Sequence, residues 1–599
     1  MINILTVLTW FTSKKAYLAN YADNESAKKA ATRLWNSIDG GDWIPFVIMI
    51  VLTVLYCWGY FFPYNNIPGR HYRPRYWFGF GLCNLISVFL ITFIVCYMFV
   101  PNPGFDIWLL VKVAFVNTLI ALILYYIIST IINRSGKSNA YPWYIIKNKL
   151  CIGGTGERVM KSITMLMASG MDTCGYTVVP IIIDPHLDLD EKKNLQTLID
   201  NYIAIRDAST VDGNGPDGFF GTDMEWIGTL DSQTNNTNKE AGEDRSYAEF
   251  LNVGNLNATS INNYFIKTLY STENLNSKLS VGFRGNPNVG TVVLQEMLTG
   301  ASWFDLLKTN CGPDDRVFII SSIFGGTGAS GYPLLERKIR STVDSDILRD
   351  VFMGAVTVLP YYGLTDPKKN NSKIDSGNFM TKAKAALTYY EHTVKSDLLY
   401  YVGETTLQDN HENNEQTQPD EANFIELVAA TALFGFLQRS KPKERQYLTR
   451  AIENDVSSLN LATAGKGYAS LVKCLADFRI LKMLLDVLPK EKYFPLIQTK
   501  GFNEDFYKGD LAKVNTFAKN FEKWYGELSS KKRAFAPISE MKPSKMADII
   551  KESVELEAKD DSWYLLEMIK NSKQDFGNKM KNFLDYAYIA IDTYTKKIL

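Results

Sequence analysis

Glycines set among hydroxyls are the residues of this chain best suited to do chemistry. The stretch Phe318–Gly331 reads FIISSIFGGTGASG, an apolar run that leads into Gly325, Gly326, Thr327, Gly328, Ala329 and Ser330. Without a Cβ, glycine lets backbone N–H groups approach an anion closely. Thr327 and Ser330 add hydroxyl donors, and a helix beginning here supplies the positive end of its dipole. A shorter motif of the same kind, Gly153, Gly154, Thr155 and Gly156, follows Leu150–Ile152. A third, Gly282-Phe283-Arg284-Gly285-Asn286-Pro287-Asn288-Val289-Gly290, carries an arginine that suits either a terminal phosphate or a surface salt bridge. Their common chemistry is the holding of phosphate. The alternative for each is a structural turn.

Such motifs need strands to aim them. Tyr176–Ile183, Arg316–Ile323 and Phe352–Leu359 are continuous apolar runs, as expected of strands buried on both faces, and Leu398–Val402 is a fourth. Helical patterns separate them, which predicts an α/β fold with a parallel sheet covered on both sides. Ligands of such sheets bind beyond the carboxyl ends of the strands, where the glycines fall. A polar stretch at 206–263 reads as an insertion. A polar loop, Gln408–Asp420, introduces a long helix from Glu421 to Leu437. Beyond Arg439 helical periodicity dominates, at Leu471–Leu488, Met546–Lys559 and Phe576–Lys597, with an aromatic-rich segment at Phe502–Trp524.

Taken alone, GGTGASG after an apolar strand also looks like the dinucleotide loop of short-chain dehydrogenases. That loop usually opens its domain, and no Tyr-x-x-x-Lys follows at the usual spacing. The motifs in their order resemble the tubulin/FtsZ family. Phe324–Gly331 is similar to its GGGTGSG signature, with Phe324 in place of one glycine. Ile152–Gly156 resembles the family's first phosphate loop, Gly282–Gly290 the GAGxxPxxG loop, and Val356–Tyr361 the fifth strand with its proline. Lys382–Leu387 and Leu398–Val402 are similar to the helix and sixth strand that follow. The resemblance covers about half of the chain, from Lys149 to Leu437.

It implies a Rossmann-type sheet that binds GTP, with ATP possible, together with Mg2+. Asp184, where FtsZ has a short Asn-Thr-Asp segment, would be a magnesium-water ligand or simply a strand-end cap. The start of the Glu421–Leu437 helix would contact the base and ribose through Asn423 and Glu426. The family's acidic NxDFxD loop is absent. Glu453-Asn454-Asp455 is the nearest acidic group, at the wrong spacing. The expectation is therefore binding with weak or absent hydrolysis.

Ahead of this lies a membrane pattern. Trp43–Phe62, Trp77–Val100 and Trp108–Ile132 each hold about 20 or more largely uncharged residues, enough to cross roughly 30 Å of hydrocarbon. Tyr and Trp gather at their ends. Arg70, Arg73 and Arg75 between the first two, and Arg134 and Lys137 after the third, predict cytoplasmic flanks. The loop Pro101–Ile107 has no basic residue and is predicted to face outward. Against this stand Lys14, Lys15, Lys28, Lys29 and Arg33 in the N-terminal tail, which three spans would put outside. Met1–Phe11 is too short to span, and Ala16–Trp35 mixes apolar and charged residues as an interfacial helix does.

The predicted organisation is an interfacial segment at 1–42, a three-helix transmembrane domain at 43–135, a tubulin/FtsZ-like nucleotide-binding domain at 145–440 and a mainly helical C-terminal domain at 441–599. Lysine plus arginine equals aspartate plus glutamate at 64 each, so no direct grip on nucleic acid is expected. Seven scattered cysteines without CxxC and four histidines without zinc spacing argue against disulfide or zinc frameworks. The predicted protein is integral to the cytoplasmic membrane, with its soluble part in the cytoplasm. Its expected partners are the bilayer, nucleotide, and copies of itself or other subunits of a membrane-associated assembly. It would act as a switch or scaffold. The alternatives are a polymerising cytomotive GTPase and an NAD(P)-binding membrane oxidoreductase.

Overall fold

The structure is a computed structural model. It describes residues 14–41, 43–60, 74–99, 102–134, 146–184, 190–211, 214–225, 228–230, 245–279, 283, 285–299, 304, 307, 311, 314–343, 345–364, 379–404, 409–411, 421–452, 464–490, 493–528, 561–573 and 575–598. Met1–Phe11, Arg70, Arg73, Lys137, His186, Gly282, Arg284 and Glu453–Asp455 lie outside these. The chain divides into two compact units, Met1–Trp143 and Tyr144–Leu599.

The first unit is helical: α1 (Lys14–Ala19), α2 (Glu25–Gly41), α3 (Trp43–Gly59), α4 (Pro74–Phe99) and α5 (Ile107–Arg134). Two stretches, Trp77–Met98 and Ile107–Ser129, are long and apolar enough to cross a membrane. The first expected span, Trp43–Phe62, is shorter among the described residues, where the helix α3 has 17 residues. Polar groups turn inward here. The Asn84 amide donates to Thr53 Oγ1 at 3.3 Å, and the Asn117 amide donates to Thr92 Oγ1 at 2.8 Å, tying α3, α4 and α5 together. Apolar side chains turn outward, among them Leu82, Ile86, Leu90 and Ile94 at intervals of four. The amphipathic α2 differs from the interfacial expectation. Its apolar face, Ala31, Leu34, Trp35 and Ile38, is covered by Leu109, Leu110, Val113 and Val116 of α5 and by Tyr17.

The second unit is built on a seven-stranded sheet whose described pairings are all parallel. Its strands are β1 (Ile146–Ile152), β2 (Thr177–Ile183), β3 (Gly228–Leu230), β4 (Arg316–Ser322), β5 (Phe352–Val358), β6 (Leu398–Glu404) and β7 (Gln446–Ile452), in the order β3-β2-β1-β4-β5-β6-β7. A separate pair, Tyr362–Leu364 with Asp409–His411, is also parallel. The sheet's two faces follow the period of two along each strand. Phe318, Ile320, Val356 and Tyr400 face one core, and Val317, Ile319, Ala355 and Leu399 the other.

The first face is covered by α6 (Gly153–Ala168), α7 (Asp190–Ala208) and α12 (Phe424–Leu437). The second is covered by α9 (Pro287–Leu298), α10 (Gly326–Arg340) and α11 (Phe379–Thr393), with α8 (Ile261–Leu269) on the surface beyond. Gly354 of β5 has no side chain because Phe436 of α12 lies there; a Cβ would come within 2.6 Å of its ring.

Two sequence boundaries shift. Residues 206–263 are not only an insertion, since β3 lies within them and extends the sheet edge. Residues 441–599 are not a separate domain: β7 pairs with β6 over its whole length. Past it, α13 (Tyr468–Val487), α14 (Asp510–Leu528), α15 (Asp561–Lys570) and α16 (Lys579–Ile598) bury their apolar faces in the core shared with α6 and α7. Trp524 Nε1 donates to Ser162 Oγ of α6 at 3.2 Å, and the Asp217 N–H donates to Asp585 of α16 at 2.6 Å.

Candidate functional site

In this strand order the chain leaves β1 toward one edge and resumes at β4 toward the other, so the switch in direction falls between two neighbouring strands. Crevices at such points, beyond the carboxyl ends, are where open α/β sheets take ligands. Both main glycine motifs lie at this point. Helix α6 opens at Gly153, the residue after β1, and α10 opens at Gly326, four residues after β4. The two helices cover opposite faces of the sheet, so their N-termini flank the crevice from both sides. Gly154, Thr155 and Gly156 form the first turn of α6.

The motif at Gly325 is less of a loop than its sequence suggests. Residues Gly326, Thr327, Gly328, Ala329 and Ser330 are already helical, with Gly325 as the N-cap in extended conformation. Two of the glycines are explained by packing. A Cβ on Gly328 would meet the Ser322 backbone at 2.7 Å, and one on Gly326 would meet Phe283 Cβ at 2.7 Å. Ser330 does not offer its hydroxyl outward either. It is buried and donates to the Gly326 carbonyl at 2.7 Å. Ala329 accepts at its carbonyl from the Tyr390 hydroxyl at 3.1 Å. What the motif presents is the start of a helix with no side-chain cap. The first N–H groups of a helix have no acceptor within it.

The third motif comes to the same place. Gly285 has φ 71°, a left-handed turn that favours glycine. Backbone nitrogens of Gly285 and Asn286 would both lie 3.2 Å from a Cβ on Gly326, so this turn abuts the start of α10. The Asn286 side chain accepts from the N–H groups of Asn288 and Val289, at 3.1 and 3.4 Å, and thereby caps α9. Its role in the structure is that of a cap.

Asp184 is buried at the end of β2. Ile183 pairs with Ile152, so Asp184 and Gly153 step off adjacent strands at the same level. No group of three metal-ligating side chains occurs among the described residues. Magnesium is commonly held by one or two carboxylates with the rest of its shell from phosphate and water, so Asp184 fits such an ion together with a nucleotide.

Asn423 and Glu426, the residues expected at the base and ribose, meet in the fold. They form a reciprocal capping box at the start of α12. Asn423 Oδ1 accepts from the Ile425 N–H at 2.9 Å, and Glu426 Oε2 from the Asn423 N–H at 2.9 Å. The carboxylate of Glu426 is fully buried; it accepts from the Tyr361 hydroxyl at 2.6 Å and lies 3.7 Å from Arg158 of α6. Burial, and then the Glu426 charge, hold the Tyr361 phenol well above its usual range, so it remains a donor. Glu426 is thus a strut joining α6, α12 and the segment after β5.

Sequence reading missed Arg158 and Tyr361. The signal was Glu157-Arg158, a charged pair just past the glycine turn of a helix that is otherwise largely apolar. Phe324, the departure from the glycine signature, is buried against Phe379 at 5.1 Å and Tyr362 at 5.5 Å. No family model, no curated protein and no solved structure matches the chain.

Proposed function

We propose that this chain is a membrane-anchored nucleotide-binding protein of tubulin/FtsZ-like kind, taking GTP, or ATP in its place, with Mg2+. It acts as a switch or assembly scaffold at the cytoplasmic membrane face. The observation that carries the reading is the pair of glycine-opened helices, α6 and α10, flanking the switch point of the sheet, with α10 lacking a side-chain cap. Free N–H groups and two converging helix dipoles favour a polyanion there. Asn286 and Asn423 already cap their own helices. That leaves α6 and α10 for the phosphates.

In this reading the backbone at Gly153–Gly156 and Gly325–Thr327 holds the phosphates, and Asp184 orients the magnesium shell. The Arg158–Glu426–Tyr361 strut keeps the helix starts in register. Membrane anchoring is supported by the two long apolar helices, whose polar groups turn inward and apolar ones outward, as lipid-facing bundles require. The dinucleotide alternative shares the strand order, so binding must separate the two.

The test is a panel of labelled GTP, ATP and NADPH offered to the full chain in lipid nanodiscs. GTP or ATP is expected to bind with slow turnover that does not rise with protein concentration. Thr327→Glu is the informative variant. A carboxylate in the first turn is welcome to the helix dipole, so folding is preserved, while the phosphates are repelled. Preference for NADPH, or unchanged GTP affinity in Thr327→Glu, would overturn the proposal. Steep activation with concentration would favour the cytomotive alternative.

A further inference from the structure

On the face covered by α9, α10 and α11, a groove of about 1040 Å³ opens between these helices and the segment Leu269–Ser277. Its size is that of a site for a small organic molecule rather than a bare ion. Phe283, Leu334, Ala386 and Tyr390 line it as apolar and aromatic wall, with Tyr270 and Tyr389 alongside. Among the described residues three charged side chains also line it, the cations Arg337 and Lys382 and the acid Glu273.

Arg337 is exposed on α10, and no ion pair or hydrogen bond of its side chain occurs among the described residues. Lys382 donates to the Gly285 carbonyl at 2.8 Å, which fixes the lysine across the groove's inner end. Neutral donors and acceptors, Asn274, Ser277, Asn288 and Thr291, supply the remaining polar lining.

We infer that this groove is a second binding site, for a small organic anion carrying a planar ring. The excess of cations selects the charge. Arginine in particular offers a fork of donors that matches carboxylate or phosphate oxygens. The tyrosines and Phe283 select the ring, through stacking or edge-on contact. The site is separate from the proposed nucleotide crevice. It borders that crevice through Phe283, Asn286, Pro287 and Asn288 of the third motif and through Ala329 and Ser330; the Asn286 side chain, the Ala329 carbonyl and the Ser330 hydroxyl are engaged within the protein in the ways described above.

The experiment uses the full chain in nanodiscs and fluorine NMR, with 4-fluorophenyl phosphate as probe and neutral 4-fluorobenzyl alcohol as its counterpart. The phosphate is expected to bind saturably, and the alcohol at least about tenfold more weakly, the factor that one charge-assisted contact supplies. Arg337→Glu is expected to weaken the phosphate by a similar factor. Ala386→Trp, on the half-exposed side of α11, is expected to abolish binding by filling the groove. Equal binding of the alcohol overturns the proposal, and so does phosphate affinity that survives both substitutions. These readouts do not depend on GTP, so failure of the nucleotide panel leaves them intact.

Discussion

Buried carboxylates in this chain meet different fates depending on their neighbours. Glu426 has a hydroxyl, a backbone N–H and a guanidinium around it. Asp477, on α13, is buried beside Lys473, which also pairs with Asp592 of α16 at 3.0 Å. Burial outweighs the lysine and pushes Asp477 up to about 6, from an ordinary value of 3.8. A carboxyl with a raised pKa in the fold favours folding below its unfolded pKa. That advantage is lost as pH rises through the folded pKa. Asp477→Asn should therefore gain stability relative to the parent as pH goes from about 4 to about 7, by up to about 3 kcal/mol. Urea unfolding across that range reads it directly. Parallel profiles for the two proteins would show that Asp477 ionises normally.

Among the elements, α12 shows how a nearly all-apolar helix is fixed at both ends. Its start is closed by the Asn423–Glu426 box. Arg316, the first residue of β4, closes its end by donating to the carbonyls of Phe436, Leu437 and Arg439 at 3.1, 2.8 and 2.7 Å. The guanidinium lies over Tyr176 at 4.8 Å and Phe352 at 5.1 Å, and a cation at a helix C-terminus also answers the dipole. Arg316→Met keeps the apolar stem and removes these bonds, so a loss of about 2–4 kcal/mol is expected in thermal or urea unfolding. Nucleotide affinity should be unchanged, because Arg316 begins β4 while the crevice lies beyond its other end. A normal melting temperature would mean that water replaces the arginine without cost.

Taken as a whole, the molecule pairs an inside-out helical unit with an ordinary α/β unit. The proposed anchoring has a definite orientation. The charges at Arg70, Arg73, Arg75, Arg134 and Lys137 are expected on the cytoplasmic side, and the loop near Asn102 outside. A reporter fused after Leu599 should behave as cytoplasmic and one inserted at Asn102 as external. The basic N-terminal tail makes this a real test, and a cytoplasmic signal at Asn102 would reverse the orientation.

Runs such as Thr177–Ile183 and Phe352–Val358 determined their own strands, because a segment apolar on both of its faces can be satisfied only where both are covered. The glycine motifs likewise announced helix starts after strands. Only tertiary structure decided what the glycines are for. Gly326 and Gly328 make room for Phe283 and Ser322, residues whose nearness no local pattern encodes. It also decided that Glu426 faces Arg158 and Tyr361. The same holds for β7, whose exposed and half-buried residues gave no strong apolar run, so that its place in the sheet follows from pairing with β6 alone. Sequence periodicity records which side of an element is buried. Which partner buries it is settled when distant segments meet.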